Sequence, residues 1–318
     1  MRIAILDDFQ GVALSSADWS AVQARAEIGV FREVLAPETL AETLAPFDAV
    51  LLMRERTPFP KALIDALPNL RLIITTGMRN ASVDIAAANA RGVTVCGTQS
   101  LTNGAPEIAW ALLMALARDV TVEDRSVREG GWQLGVGASL SGRTLGVVGL
   151  GRLGSMMARY GRAFDMPILA WSQNLTAERC AEEGAELATS LDDLMARSDF
   201  ITIQLVLSAR TQGLIGALQL ARMKPSAYLI NTSRGPIIDE AALVAALKAG
   251  TIAGAGLDVF DQEPLPKDHP LRSAPRTVLT PHIGYVTQEN YAVFYREAVE
   301  DILGFMDGKP LRVLSPGK

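Results

Sequence analysis

Two cysteines and two histidines are all that 318 residues contain. Cys96 and Cys180 stand far apart, too few for a disulfide framework and without metal-ligand spacing, so no bound metal is expected. Excess positive charge is also missing. With 30 Lys and Arg against 35 Asp and Glu, the net charge is −5 and nothing favours a nucleic-acid partner. No apolar run approaches the ~18 residues of a membrane span. The segment 108–117 is too short and follows Glu107. Residues 1–8 (MRIAILDD) read as a first strand, without the long apolar stretch and small-residue cleavage site of a signal peptide, and a cytoplasmic location is expected. What remains is 49% hydrophobic and 20% charged, a globular chain long enough for two domains with cores of their own.

The densest signal lies at Arg143–Arg159, an apolar run (Leu145 to Val148), a glycine-rich turn and the start of a helical pattern at Leu153, Met156, Met157 and Tyr160. The turn reads G-x-G-x-x-G at Gly149, Gly151 and Gly154. These glycines suit a tight turn, close approach of backbone to a pyrophosphate, and close helix–strand packing. The helix N-terminus behind them offers free N–H groups to an anion. Strand, turn and helix in this order predict a dinucleotide site.

Around this segment the chain keeps a βαβ rhythm, which predicts parallel sheets covered by helices. Residues 1 to about 100 alternate apolar runs (3–6, 49–53, 70–74, 93–96) with helical stretches (19–25, 61–67, 83–90). Asp7-Asp8-Phe9 follows the first strand where a glycine turn would stand, so this half is a candidate substrate or lid domain. Pro106–Arg118, apolar nearly all round, predicts a buried helix, and 130–141 a loop. Strands are expected again at 168–171, 200–205, 227–231, 255–259 and 278–280, and helices near 176–183, 190–196, 239–248 and 287–306. The last helix exceeds what a six-strand doubly wound sheet needs and is expected to return to the first half. The fold class is therefore α/β with two Rossmann-like domains: residues 101–285 as a doubly wound, parallel-sheet dinucleotide domain, and 1–100 plus 286–318 as a discontinuous, flavodoxin-like substrate domain.

Ligands of such sheets bind beyond the carboxyl ends of the strands. Three of these ends carry polar clusters: Asn231-Thr-Ser-Arg234-Gly, Leu257-Asp258-Val-Phe-Asp-Gln-Glu263-Pro and Thr280-Pro-His282-Ile-Gly284. Together with G-L-G-R-L-G, in this order and spacing, they closely resemble the D-isomer-specific 2-hydroxyacid dehydrogenases along the whole chain. The resemblance implies Arg234 as the clamp on substrate carboxylate and carbonyl oxygen, His282 as general acid and Glu263 as its partner. The chemistry suits these residue types: guanidinium is a permanently charged donor fork, and imidazole titrates near neutrality. It also implies cofactor contacts from Gly149, Gly151, Arg152, Leu153, Gly154, Ser172, Thr232 and Asp258, the last toward the nicotinamide carboxamide. Arg54, Met78, Arg79 and Tyr285 correspond to substrate-lining positions. A homodimer formed through the cofactor domains is implied as well. His269, in a polar loop, reads as structural.

Departures from the pattern bear on specificity. Ser172, followed by Gln173 and Asn174, stands about 20 residues past the fingerprint, where an acidic residue usually holds the ribose of NAD. Ser172 would not repel a 2′-phosphate, so NADP is expected to be accepted, with NAD not excluded. Arg79 replaces a frequent glycine, Tyr285 a small residue, and Gln204 and Val206 a His-x-Pro. The expected activity is reduction of a small 2-oxo acid of the glyoxylate or hydroxypyruvate type. A phosphoglycerate dehydrogenase-like enzyme and a dinucleotide-sensing corepressor-type protein are the rivals, the second disfavoured by an intact Arg234, Glu263 and His282.

Overall fold

The βαβ rhythm resolves into two all-parallel sheets in the computed structural model, which describes residues 1–316. The chain divides into two compact units, Met1–Leu101 with the segment from Val286 onward, and Thr102–Tyr285.

Unit 1 holds β1 (Arg2–Ile5), β2 (Glu27–Val30), β3 (Ala49–Leu52), β4 (Leu72–Thr75) and β5 (Thr94–Gly97), in the order β2-β1-β3-β4-β5. That is the flavodoxin-like order. β3 and β4 are buried throughout, which is why they read as unbroken apolar runs rather than alternations. Leu6, Leu44, Leu52, Phe59, Ile64 and Ile73 form the core on one face. Helix Gln288–Met306 belongs to this unit: Glu297 accepts a hydrogen bond from the Gln99 N–H at 2.6 Å, and Asn290 one from the Leu101 N–H at 2.8 Å. Two elements escape the sequence reading. β2 is only half-buried and its Glu-Ile-Gly-Val lacks an apolar signature, while helix Pro37–Leu44 had a legible start in Pro37 at its first position.

Unit 2 holds β6 (Leu145–Val148), β7 (Ile168–Trp171), β8 (Glu186–Leu187), β9 (Phe200–Ile203), β10 (Tyr228–Asn231), β11 (Gly254–Leu257) and β12 (Thr277–Leu279). Their order is β12-β11-β10-β9-β6-β7-β8, the doubly wound pattern that reverses direction at β6. The count is seven rather than the expected six because the two-residue β8 is too short to show a period. Helix Gly104–Ala117 buries Ala109, Leu112, Leu113 and Leu116, and an added Cβ on Gly256 of β11 would meet Leu112 and Leu116 at 3.0 and 3.1 Å. Between this helix and β6 lies helix Val120–Arg128, which the sequence reading left out, and then an irregular stretch.

Register decides what this sheet presents. Val148 pairs with both Trp171 and Ile203, Ile203 with Asn231, Asn231 with Leu257, and Leu257 with Leu279. Five neighbouring pairings thus end on one level. The residues that follow, Gly149, Ser172, Gln204, Thr232, Asp258 and Thr280, leave the ladder together at one edge. Strands expected to run to 205, 259 and 280 stop at this level, so the polar residues beyond it are free to act as loop residues.

Candidate active site

The turn after β6 owes its shape to its glycines. Gly149 has φ +101°, a conformation that a side chain strains, and an added Cβ would lie 2.5 Å from the Gln204 carbonyl oxygen. On Gly154 a Cβ would sit 1.9 Å from the Gly149 carbonyl oxygen, so this helix can approach β6 only with glycine there. Around Gly151, in contrast, the same addition meets nothing within 4 Å. Helix Arg152–Ala163 starts here without a side-chain cap, leaving its first N–H groups for an anion. Arg152 is exposed, Leu153 and Ser172 are partly exposed, and Gly154 is buried.

Two residues along this edge bear on whether a dinucleotide fits. Thr232 is buried, and its hydroxyl has no partner among the described residues, an unmet bonding capacity that a ligand polar group would satisfy. Asp258 is 1% exposed and already accepts three hydrogen bonds: Oδ1 from Thr280 Oγ1 at 2.6 Å and the Ile283 N–H at 2.8 Å, Oδ2 from the Gly284 N–H at 2.9 Å. A carboxylate has about four acceptor positions, so one remains for a donor such as a carboxamide. Burial pushes the Asp258 carboxyl above its ordinary value, against the pull of the Thr280 hydroxyl, the Ile283 and Gly284 N–H groups and the His282 charge. Its first task is therefore local: it ties down the loop that carries His282. Open backbone at Gly151, the uncapped helix and the Thr232 hydroxyl together fit a dinucleotide.

After β10, Asn231 builds the next loop. Its Nδ2 donates to the Arg234 carbonyl at 2.9 Å, its Oδ1 accepts from the Ser233 N–H at 3.0 Å, and Ser233 Oγ donates back to the Ile203 carbonyl at 2.8 Å. Arg234 is thereby held in extended backbone at the strand-end edge, one Nη1 bond going to the Ser233 carbonyl at 2.8 Å. Gly235 lets this loop lie against the next one; a Cβ on it would come within 2.1 Å of the Phe260 carbonyl carbon.

That next loop carries Glu263, whose Oε1 accepts from the Phe260 N–H at 2.9 Å and whose Oε2 lies 2.6 Å from His282 Nδ1. Burial raises the Glu263 carboxyl, but the His282 hydrogen bond and charge, the Phe260 N–H and the Arg234 charge outweigh it and hold it below its ordinary value. The carboxylate thus engages Nδ1 and leaves Nε2 as the imidazole nitrogen for a reacting molecule. Tyr285 meets the His282 ring edge-on, with centroids 5.6 Å apart. Arg234, Glu263 and His282, far apart in sequence, are assembled by three adjacent loops, and the arrangement can hold an oxyanion beside a proton donor.

In unit 1, Arg54 and Met78-Arg79 follow β3 and β4, which end level at Leu52 and Thr75. Arg54 donates from its N–H to Thr76 Oγ1 at 2.8 Å and from Nη1 to the Thr76 carbonyl at 3.0 Å, and its carbonyl accepts from Asn80 at 2.6 Å. It is a built-in part of that edge rather than a loose surface charge. Met78 and Arg79 are exposed. The sequence reading missed Asn231, Ser233 and Thr280 as organisers of the site; their position at strand ends inside the motifs was the available signal.

Residues 110–284 match the family model described as D-isomer specific 2-hydroxyacid dehydrogenase, NAD binding domain. Over 299 residues the chain is 36% identical to a glyoxylate reductase of Korarchaeum cryptofilum, covering 91% of this chain and 90% of that one. It is 38% identical over 287 residues to glyoxylate/hydroxypyruvate reductase B of Citrobacter koseri, covering 86% and 87%. A solved phosphoglycerate oxidoreductase from Vibrio cholerae superimposes with a TM-score of 0.92 at 34% identity, covering 97% of this chain and 99% of the other.

Proposed function

The chain belongs to the D-isomer specific 2-hydroxyacid dehydrogenases, oxidoreductases acting on the CH–OH group, and on that premise we propose that it reduces a small 2-oxo acid of the glyoxylate or hydroxypyruvate kind. The observation that carries this reading is the 2.6 Å contact between Glu263 and His282, on the same sheet edge as the glycine turn and Arg234.

A nicotinamide dinucleotide, when bound, supplies the hydride. The residues of the chain do the rest. The Arg234 guanidinium binds the substrate carboxylate and the carbonyl oxygen, fixing the acid and drawing electron density toward that oxygen. His282 Nε2 gives its proton to the oxygen as negative charge develops there. Glu263, bonded to Nδ1, sets the ring orientation and stabilises it while protonated. Gly149, Gly151, Arg152, Leu153 and Gly154 would hold the pyrophosphate, Thr232 and Asp258 the nicotinamide end, and Ser172 the ribose. Arg54, Met78, Arg79 and Tyr285 are proposed as substrate contacts. Relatives acting on phosphoglycerate keep that substrate class as the second reading.

Ser172, in place of an acidic residue after β7, supports acceptance of NADPH as well as NADH. A homodimer is supported by the stretch after helix Gly104–Ala117, where Trp132, Leu134 and Val136 are 71%, 67% and 99% exposed and Val120, Val122 and Val127 also face outward. Apolar side chains exposed in this way suit burial against a second copy. The cytoplasm is the proposed location; among the described residues no helix is long and apolar enough to cross a membrane.

The test is consumption of NADPH or NADH at 340 nm on adding glyoxylate, hydroxypyruvate, pyruvate or phenylpyruvate. Turnover of one or more, abolished in His282→Ala, supports the reading. If all are inert while cofactor still binds, the sensor reading replaces it.

A further inference from the structure

The loop that carries Glu263 packs on the core through Leu265 and is otherwise largely exposed. Residues 261–264, 267 and 268 are exposed and belong to no helix or strand, so the loop cannot be fixed by packing alone. Its ends are gripped from one place. Glu240, the first residue of helix Glu240–Ala249, places Oε1 2.9 Å from His269 Nε2, while Oε2 accepts from the Asp261 N–H at 3.3 Å. The Glu240 side chain is only 16% exposed, and that of His269 20%. His269 Nδ1 accepts from the Leu271 N–H at 3.3 Å, which leaves the ring hydrogen on Nε2, facing Glu240. Arg272 closes the middle, donating from Nε to the Pro266 carbonyl at 2.7 Å and from Nη2 to the Leu265 carbonyl at 2.6 Å.

We infer that Glu240, with His269, is a positioning residue for the reaction: it clamps both ends of the 261–269 loop and thereby sets where Glu263 meets His282. The inference rests on the proposed acid–base role of Glu263 and His282. It follows from geometry that a carboxylate swinging by an ångström would no longer engage Nδ1 at 2.6 Å, and catalytic groups misplaced by that much lose much of their effect. A second imidazole–carboxylate pair, Glu240 with His269, thus serves the first without touching substrate.

The experiment measures kcat and KM for Glu240→Ala in the native background and in Glu263→Gln. If Glu240 acts through Glu263, its loss lowers kcat about tenfold in the native background, with the 2-oxo acid KM and cofactor affinity within about twofold, and changes kcat by less than about twofold when Glu263 is already replaced. Equal losses in both backgrounds, no loss, or a rise in KM alone overturns the proposal. His269→Ala removes the clamp from the loop side and leaves the helix start intact; it is held to the same two backgrounds, so misfolding of one variant leaves the other to decide. Unchanged kcat in His282→Ala sinks the acid–base reading itself, whereas an inactive His282→Ala beside a fully active Glu240→Ala overturns this inference alone.

Discussion

Glu263 Oε2 meets His282 Nδ1 at 2.6 Å, and His282 reaches that position from a backbone at φ +53°, in a loop tied down by Asp258. The left-handed conformation is uncommon for a residue with a side chain and persists where surrounding bonds over-determine it. Here Thr280 Oγ1 and the N–H groups of Ile283 and Gly284 all donate to one buried carboxylate. Removing the imidazole should lower kcat by about 10²–10⁴, the range for a lost general acid, while NADPH and NADH affinities stay within about twofold. Single-turnover kinetics and fluorescence titration of His282→Ala check both halves; unchanged kcat refutes the role.

Glu263 should also leave a mark on acid stability. Its carboxyl is held below its ordinary value of 4.5, so the unfolded chain takes up the proton first as pH falls. The stability it contributes is fully present above 4.5 and is lost as pH drops through the lowered folded value. Melting temperature measured from pH 7 downward should therefore fall more steeply below 4.5 in the native protein than in Glu263→Gln. Parallel curves would contradict the linkage.

Asp301 has the opposite sign. Fully buried in unit 1, it is pushed up to about 7 by burial, although Arg312 Nε donates to it at 3.0 Å. Between its ordinary 3.8 and about 7 the folded state holds a proton that the unfolded chain has released, so this group costs stability as pH rises through that window. Asp301→Asn should remove that slope from unfolding free energies measured across pH 4–8. A slope unchanged by the substitution would show that Asp301 does not titrate there.

Cofactor choice should follow Ser172. Native kcat/KM for NADPH is expected to equal or exceed that for NADH, and a preference for NADH beyond about a hundredfold, roughly 2.7 kcal/mol, would sink the reading. Ser172→Asp should lower kcat/KM for NADPH at least tenfold, because a carboxylate repels the 2′-phosphate, and leave NADH within about threefold. Initial rates with both cofactors decide.

The apolar stretch at 132–136 should govern assembly. Trp132→Glu combined with Val136→Glu should convert a dimer to a monomer by light scattering or sedimentation at micromolar concentration. Melting of the monomer should otherwise remain cooperative, since neither side chain belongs to a core. A native protein that is already monomeric would refute the dimer.

The strongest element of the sequence was the segment from Leu145 to Tyr160, because buried strand, glycine turn and helix each leave a local signature within one stretch. The polar residues that follow the strands were legible for the same reason: an apolar run that ends in Asn231, Asp258 or Thr280 announces its carboxyl end. Helix Val120–Arg128 was not, since its valines at 120, 122 and 127 face outward and the residues between them are mostly polar. Local chemistry could name a histidine and a glutamate as candidates, but not their separation. That depended on register, which levels β6, β7, β9, β10, β11 and β12 at one edge, and on Asp258, Ser233 and Glu240, whose hydrogen bonds reach across loops distant in sequence. Sequence by itself determined the family, its nicotinamide class of cofactor and which residues are candidates for the chemistry. Only the tertiary structure decided how Glu263 is aimed at His282, because a hydrogen bond depends on position to a fraction of an ångström and that position is a property of the packed sheet and its loops.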